Sequence, residues 1–415
     1  MPLPRSGRPA DDVLAELDQL GGDDVDWAAG RCFSLVYSAG PDVERVADEA
    51  ARRFAMANAL NTDAFPSLRR MQSDVVGVVS DWLGAPDGSA GFMTSGGTES
   101  LLMAVKAARE RHRRLERGSG ARPNVVLPTS AHAAFEKGCH YFGLESRRVE
   151  VGADWRADPD AIAAAVDVDT ALIVASAPQY PQGVIDPVAA IAAIAAEGDI
   201  NCHVDACIGG VTLAYLPRLG EEVAPWAFEV DGVTSVSVDL HKFAYTAKGA
   251  SVIVHRDKQR RSDQTFLTDN WLGGRYGSPA VLGTRSGGPI AAAWAVLNHI
   301  GDDGYLELTR RARAATLELA AVIDAEPRVV LLARPDGCLL SFAAADPDQL
   351  DVFAVADALR TRGWFVDRQG PPRSLHCTVN AIHDGTIAEF ATALADSVDE
   401  AGGRSGASGA YATIS

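Results

Sequence analysis

Length, composition and charge narrow the class of protein before any motif is considered. The 415 residues are enough for one large domain and a smaller one, and 47% hydrophobic against 22% charged residues is typical of a globular chain. Lys and Arg number 38 against 55 Asp and Glu, which gives a formal net charge of −17. Such an acidic chain repels phosphodiester backbones and anionic lipid, so nucleic acid and membrane surfaces are disfavoured as partners.

Cysteine spacing and hydropathy exclude further classes. The six cysteines lie apart without a CxxC pair, unlike a disulfide scaffold or a zinc site, and we expect no metal. The first ten residues are polar and proline-rich, and no stretch approaches the roughly 20 apolar residues of a membrane helix. We therefore expect a cytoplasmic protein without a membrane anchor.

The predicted elements begin with helices at 11–20, 41–60 and 67–83, where apolar residues recur at helical spacing. From about residue 90, short β-branched runs alternate with helical stretches. We predict strands at 124–127, 146–151, 171–175, 201–204, 232–238 and 250–255, with helices at 99–117, 131–142, 158–165 and 187–197. This alternation predicts an α/β fold with a mostly parallel sheet covered on both faces.

The last part of the chain has a different pattern. Long helices are expected at 289–300 and 305–323, followed by strands at 329–332, 339–342 and 375–379 around a helix at 350–362. We divide the chain into an N-terminal helical segment (1–60), a large domain (61–288), a smaller C-terminal α+β domain (289–400) and a flexible tail (401–415). Trp271 is expected to pack in a core, and the alternative is a place at the partner-facing mouth of the site.

A glycine-rich segment precedes the predicted helix that follows residue 98. Gly97 allows close approach of the backbone to a ligand, Ser95 and Thr98 add hydroxyl donors, and a helix N-terminus favours an anion such as phosphate. The alternative is a capped helix after a glycine turn, because Ser, Thr and Glu are ordinary capping residues.

Two charged residues follow apolar strands. Asp205 ends the strand near 201–204, at the edge where ligands of parallel sheets bind, and a buried carboxylate there needs a positive partner such as a protonated pyridine nitrogen. The alternative for Asp205 is a helix N-cap. Lys242 follows the strand that ends near Val238, where desolvation would lower the pKa of its amine as a Schiff base requires, although it resembles any surface lysine when taken alone.

Together these three elements match the requirements of one cofactor, pyridoxal 5′-phosphate (PLP). The helix start suits its phosphate, Asp205 its ring nitrogen and Lys242 its aldehyde. His132, which opens a predicted helix, is placed to stack on the ring, although a lone helical histidine is more often structural.

The same stretches resemble a known family. Phe65–Arg69, Thr94–Ser100, Ser130–Lys137, Ser176–Pro178, His203–Gly210 and Ser237–Lys242 with Lys248-Gly249 are similar to segments of fold-type I PLP enzymes of the group II decarboxylase superfamily, and within it to the sphingosine-1-phosphate lyase family. The similarity runs from about Tyr37 to His376.

The resemblance implies a role for each matching residue. Lys242 would carry the PLP Schiff base, Asp205 would pair with the pyridinium nitrogen and His132 would stack on the ring. The remaining cofactor-binding residues implied are Ser95, Gly97, Thr98, Ser176, Ser237 and His241. Gly283 and Thr284 match a segment that reaches the cofactor phosphate of the partner subunit, which implies a homodimer with shared active sites.

The resemblance also implies a site for a phosphate on the substrate. Tyr37, Asn58 and Lys248 match the family's tyrosine, asparagine and second lysine. Asn61 stands where the family has a histidine, and an uncharged amide there would weaken phosphate recognition by about 1–2 kcal/mol.

We expect a carbon–carbon lyase that cleaves a 2-amino-3-hydroxy substrate, with or without a phosphate, into an aldehyde and an amine. An amino-acid α-decarboxylase is the alternative, because PLP serves both reactions. A non-catalytic PLP-fold protein acting as a binding partner is a third reading, and the presence of both Lys242 and Asp205 disfavours it.

Overall fold

A seven-stranded sheet organises the first three quarters of the chain. In the computed structural model, which describes residues 3–120 and 122–407, its strands are β1 (Ala90–Thr94), β2 (Asn124–Pro128), β3 (Glu145–Val149), β4 (Thr170–Ser176), β5 (Asn201–Asp205), β6 (Ser235–Asp239) and β7 (Ser251–His255). Their order is β1-β7-β6-β5-β4-β2-β3, with β7 antiparallel to both of its neighbours and the other pairs parallel. The predicted mostly parallel sheet is confirmed.

Helices cover both faces of this sheet. The α-helices that precede the end of β7 are α1 (Ala10–Leu20), α2 (Pro41–Phe54), α3 (Pro66–Trp82), α4 (Gly97–Arg114), α5 (Ala134–Phe142), α6 (Pro159–Ala165), α7 (Val188–Glu197) and α8 (Gly210–Tyr215), and α1 has no buried residue. Alternate residues of β4 face opposite sides: Leu172 packs in the cluster that contains α4, and Ile173 in the cluster that contains α7. Because both faces are apolar, β4 and β5 are buried along their whole length.

After β7 the chain forms α9 (Lys258–Gln264) and a short hairpin, β8 (Phe266–Thr268) and β9 (Tyr276–Ser278). The long helix α10 (Gly288–Ala325) follows, with a break at Gly301, where φ is 64°. This break lies between the two helices predicted at 289–300 and 305–323.

The smaller domain is built on a second sheet. Its strands are β10 (Val329–Leu331), β11 (Leu339–Ala344), β12 (Asp367–Gln369) and β13 (Ser374–Thr378), in the antiparallel order β10-β11-β13-β12, packed by α11 (Val352–Thr361) and α12 (Ile387–Ala401). Phe33 from the N-terminal segment belongs to this core and stacks on His383. The predicted segment 1–60 therefore contributes to the small domain as well as to the helices around the large one.

Several elements differ from the prediction. Strands β1, β8, β9 and β12 were not expected, and the helix predicted at 41–60 ends at Phe54. Trp271 was expected in a core but is 58% exposed, because it lies in the loop of the β8–β9 hairpin. In the predicted tail, residues 408–415 lie outside the described part of the chain. Among the described residues, no helix is both long and apolar enough to cross a membrane.

Candidate active site

A cavity of about 420 Å³ lies at the carboxyl edge of β4, β5 and β6 and at the start of α4. Its volume falls within the roughly 300–1,000 Å³ of small-molecule sites. The predicted residues that line it are Ser95, Gly97, Thr98, His132, Ser176, Asp205, His241, Lys242 and Lys248. The fold therefore gathers nine residues that lie on six separate stretches of the sequence.

The start of α4 forms one wall of the cavity. A Cβ atom on Gly97 would lie 2.6 Å from Asp239 Oδ2 and 3.1 Å from Cys207 Sγ, so only glycine fits without displacement. Glu99 accepts the backbone N–H of Ser95 at 2.6 Å and fixes the turn that precedes the helix. The free N–H groups of this first turn and the positive end of the helix dipole suit a phosphate.

Asp205 stands at the carboxyl end of β5 and is 8% exposed. Its Oδ1 atom accepts the backbone N–H of Cys207 at 3.0 Å, which holds the carboxylate beside the cavity. The pairing of Ser176 with Asp205 across β4 and β5 places the ends of both strands together. A carboxylate held in this way can pair with a protonated ring nitrogen.

Lys242 follows β6 and points its amine to a second, unpredicted carboxylate. Its Nζ atom lies 3.0 Å from Asp239 Oδ2, and His241 Nε2 lies 3.7 Å from the same oxygen. Burial alone would raise the pKa of Asp239, but the charges of Lys242 and His241 outweigh it and hold this pKa below its usual value. An ionised Asp239 thus orients the Lys242 side chain at the floor of the cavity.

His132 opens the turn before α5, where its Nδ1 atom accepts the backbone N–H of Ala134 at 3.0 Å. Burial lowers its pKa, and the charge of Asp205 acts in the opposite direction. The imidazole is therefore neutral at pH 7, and it lines the cavity.

Lys248 lines the cavity and contacts Tyr37, a predicted residue that is not among the lining residues. Lys248 Nζ donates to the carbonyl oxygen of Leu35 at 2.7 Å and lies 5.0 Å from the centre of the Tyr37 ring. Although part of the Lys248 side chain reaches solvent, burial of its ammonium group, reinforced by the charge of Lys242, lowers its pKa to about 8.

The other predicted residues are not among those that line the cavity. The Ser237 hydroxyl is fully buried and bonds with His203 Nε2 at 3.1 Å and Cys207 Sγ at 3.2 Å, so in this structure it faces away from the cavity. Asn58 pairs with Ser286 in an isolated bridge. Asn61 and Thr284 are exposed at the surface, and Gly283 lies in the loop before α10. Their predicted roles remain predictions.

Sequence reasoning missed Tyr180, which lines the same cavity. Its hydroxyl donates to Asp367 Oδ2 at 2.7 Å, and its ring stacks on His376 with centroids 3.9 Å apart. Tyr180 lies two residues after the recognised Ser176–Pro178 stretch, but its partner on β12 is far away in sequence. Local patterns contain no signal for such a pair.

These residues fit PLP. The start of α4 can hold the phosphate, Asp205 the ring nitrogen, His132 the ring face and Lys242 the aldehyde carbon, as the sequence predicted. The chain matches the family model "Pyridoxal-dependent decarboxylase conserved domain" over residues 9–345, and it belongs to this family of PLP-dependent enzymes.

Within this family the chain resembles sphingosine-1-phosphate lyases. It is 38% identical to sphingosine-1-phosphate lyase 1 of Rattus norvegicus over 92% of this chain and 66% of the relative. Its identity to the Oryza sativa subsp. japonica lyase is 35%, over 93% of this chain and 72% of that one. The chain thus spans slightly less than two thirds of the length of the rat relative.

Solved structures give the same assignment. The sphingosine-1-phosphate lyase of Burkholderia pseudomallei superposes with a TM-score of 0.91 at 36% identity, over 97% of this chain and 93% of that one. The glutamate decarboxylase of Lactobacillus brevis superposes with a TM-score of 0.84 at 20% identity, which shows a shared fold.

Proposed function

We propose that the protein is a PLP-dependent carbon–carbon lyase that cleaves a 2-amino-3-hydroxy compound into an aldehyde and an amine. The observation that carries this proposal is the convergence of Lys242, Asp205 and His132 on one cavity that Lys248 also lines, with the Tyr37 ring 5.0 Å from the Lys248 amine. Lysine, aspartate and histidine serve the cofactor, whereas a second lysine beside a tyrosine suits a substrate phosphate. The similarity to sphingosine-1-phosphate lyases over more than nine tenths of the chain supports the same reaction.

PLP, when bound, supplies an electron sink for the electron pair of the broken bond. The chain holds it in place through the start of α4, and Asp205 keeps its ring nitrogen protonated. Lys242 provides the amine that anchors the cofactor and can return a proton to the α-carbon of the product. Asp239 positions that amine.

We assign the removal of the β-hydroxyl proton to Tyr180, which lines the cavity and donates a hydrogen bond to Asp367 Oδ2. The phenol takes up the substrate proton as it passes its own proton along this hydrogen bond to the Asp367 carboxylate. Lys248 and Tyr37 would bind a phosphate on the first carbon of the substrate, because an ammonium group and a phenolic hydroxyl are both donors to phosphate oxygens.

The test uses the purified protein loaded with PLP. We expect a visible absorbance band, which borohydride abolishes as it reduces the Schiff base and fixes the cofactor to Lys242, and release of a long-chain aldehyde from sphingosine 1-phosphate. Lys242→Ala should lose both, while Lys258→Ala, a change on α9, should keep both. Release of CO₂ from an amino acid without aldehyde would instead show the decarboxylase, and a colourless protein that takes up no PLP would contradict both enzymes.

We further propose that the enzyme is a homodimer with shared active sites. The segment that contains Asn58 and the loop that contains Gly283 and Thr284 lie together, because Ala59 N–H donates to the Arg285 carbonyl at 2.9 Å. Both lie outside the cavity of their own chain, as expected of residues that serve a partner's site. A cytoplasmic location remains a prediction from the sequence.

A further inference from the structure

A second cavity of about 590 Å³ adjoins the first one. His132 and Tyr180 line both, so the two spaces meet at these side chains. One wall of this outer cavity is the loop 129–133 after β2, and the opposite wall is the segment 367–373 of the small domain. A substrate whose reacting carbon lies beside Tyr180 can extend only a short distance before it enters the outer cavity.

Two arginines line the small-domain wall of the outer cavity. Arg368 donates to the carboxylate of Asp357. Arg373 donates to Asp351 Oδ2 at 2.7 Å and covers the Phe353 ring at 4.6 Å. A guanidinium has five N–H donors, and each of these pairs uses only part of that number.

Polar atoms on both walls lack partners. Arg368 Nε, Gln369 Oε1 and Ser130 Oγ are buried from solvent and have no hydrogen-bond partner within the described ranges 3–120 and 122–407. An unpaired buried polar group costs about 1–3 kcal/mol. Water does not reach these three atoms, so a ligand contacts them only if their side chains turn towards the cavity. An anionic oxygen group then accepts hydrogen bonds from the arginine and the serine, whereas an alkyl chain does not.

One acidic residue, Asp367, lines the same cavity. Burial raises the pKa of Asp367, while the hydrogen bond from Tyr180 acts in the opposite direction. Because Tyr180 donates to its Oδ2 atom, part of this carboxylate is already paired within the protein.

We propose that the outer cavity binds the end of the substrate remote from the amine, and that this end carries an anionic oxygen group, a carboxylate or a phosphate. This inference rests on the proposed lyase function, since that function places the reacting carbon beside Tyr180. The aldehyde product would then be an acidic aldehyde, and a plain alkyl chain would be the poorer substrate tail.

The experiment measures binding and does not require turnover. Hexanoate, pentyl phosphate and 1-hexanol are titrated by calorimetry into the PLP-loaded enzyme, because they share a similar length and differ in the charge of one end. We expect at least one of the two anions to bind about tenfold or more tightly than hexanol, which corresponds to about 1.4 kcal/mol. The anion that binds more tightly shows whether the outer cavity recognises a carboxylate or a phosphate.

Variants locate the binding site. Arg368→Met and Arg373→Met should each raise the Kd of the anion about tenfold and leave the Kd of hexanol unchanged, because each removes a charge-assisted hydrogen bond. Arg334→Met is the matched control, since Arg334 pairs with Asp324 on the surface. Arg373 is 57% exposed, so its variant remains informative if Arg368→Met fails to fold.

Three results would overturn the inference: hexanol binding as tightly as the anions, no binding by any of the probes, or anion binding that survives Arg373→Met and disappears in Lys248→Met. Failure to cleave sphingosine 1-phosphate or any other amino alcohol would contradict the proposed function instead. The two failures are thus distinguishable.

Discussion

Lys248 and Lys242 follow the same strand, but their ammonium groups have different neighbours. Asp239 faces Lys242, whereas Lys248 donates to the backbone carbonyl oxygens of Leu35 and His241 and meets the Tyr37 ring. Carbonyl oxygens and an aromatic face compensate a positive charge less than a carboxylate does. With burial, these contacts make the charge of Lys248 easier to lose than that of an ordinary lysine.

The pKa of about 8 for Lys248 predicts a pH dependence of substrate binding. As pH rises through this value the ammonium group loses its proton, so its attraction for a substrate phosphate is present below about pH 8 and is lost above it. We expect the KM for sphingosine 1-phosphate to rise between about pH 7 and 9 in the parent enzyme. Lys248→Met should show a high KM that no longer changes over this interval, and an equal rise in both proteins would contradict the assignment.

Gly97 provides a second residue-scale prediction. Gly97→Ala places a Cβ 2.6 Å from Asp239 Oδ2, so the start of α4 or the Asp239–Lys242 pair must shift. We expect PLP to dissociate about tenfold faster and the free energy of unfolding to fall by about 1–3 kcal/mol. Spectroscopic titration of PLP and denaturant unfolding measure these two effects.

Gly77→Ala is the matched control for that change. Gly77 lies inside α3, and a Cβ there meets nothing within 4 Å. It should stabilise the protein by about 0.5–1 kcal/mol and leave PLP binding unchanged. Equal effects of the two substitutions on PLP would show that the close contact at Gly97 has no role.

At the scale of elements, Glu99 joins the start of α4 to the loop before α10. Its Oε2 atom accepts the N–H of Ser95, and its Oε1 atom accepts those of Val281 and Leu282 at 2.6 and 3.2 Å. One buried carboxylate therefore fixes both the cofactor-binding turn and the loop that contains Gly283 and Thr284.

Replacing this carboxylate with an amide tests the connection. In Glu99→Gln an NH₂ group faces a backbone N–H, which should cost about 1–3 kcal/mol of stability and make the loop 279–287 more sensitive to proteolysis. Thermal melting and limited proteolysis measure the two effects. Glu307→Gln, at an exposed ion pair with Arg310, should change stability by less than about 0.5 kcal/mol. An unchanged cleavage pattern in Glu99→Gln would contradict the connection.

The elements also show which parts of the fold local sequence can predict. The parallel strands β2–β6 and the helices α4–α7 have clear apolar periodicity and were predicted, whereas the short helix α8 between β5 and β6 was not. β1 begins with the small residues Ala90 and Gly91, and β12 is the polar run Asp367–Gln369, so neither has the composition of a typical strand. Their strand structure is determined by pairing with β7 and β13.

The same distinction holds for the site. Lys242, Asp205 and His132 follow strands directly, and a short window of sequence contains the strand and the residue together. The Tyr180–Asp367 and Glu99–Val281 contacts join residues 187 and 182 positions apart. Only the folded chain brings such residues together, so a single sequence cannot predict them.

For the whole molecule, the largest exposed apolar side chains of the β8–β9 hairpin indicate an interface. Phe266, Leu267 and Trp271 are 53%, 58% and 58% exposed, and Leu272 is fully exposed. Clustered apolar groups on a surface are typical of a docking site for another protein. In the proposed homodimer, a second copy of this chain would cover this hairpin and would also account for Asn58 and Thr284, which do not line their own cavity.

The double variant Trp271→Glu/Leu272→Glu tests this interface. We expect a monomer in sedimentation velocity and faster loss of PLP, because charges on the hairpin oppose its burial and the partner's loop no longer reaches the cofactor site. Leu317→Glu, at an exposed leucine on α10, should leave the dimer intact. A monomeric parent protein, or a variant that remains dimeric, would contradict the shared-site proposal.

The hydrogen bond between Tyr180 and Asp367 links the two domains mechanically. Tyr180 belongs to the loop after β4 of the large sheet, and Asp367 begins β12 of the small one. A hinge opening of only 1 Å would stretch this 2.7 Å bond beyond the normal range and release the phenol from its fixed direction. If the substrate enters by such an opening, Tyr180 cannot transfer a proton while the site is open. Closure of the site around the substrate restores the hydrogen bond and, with it, proton transfer.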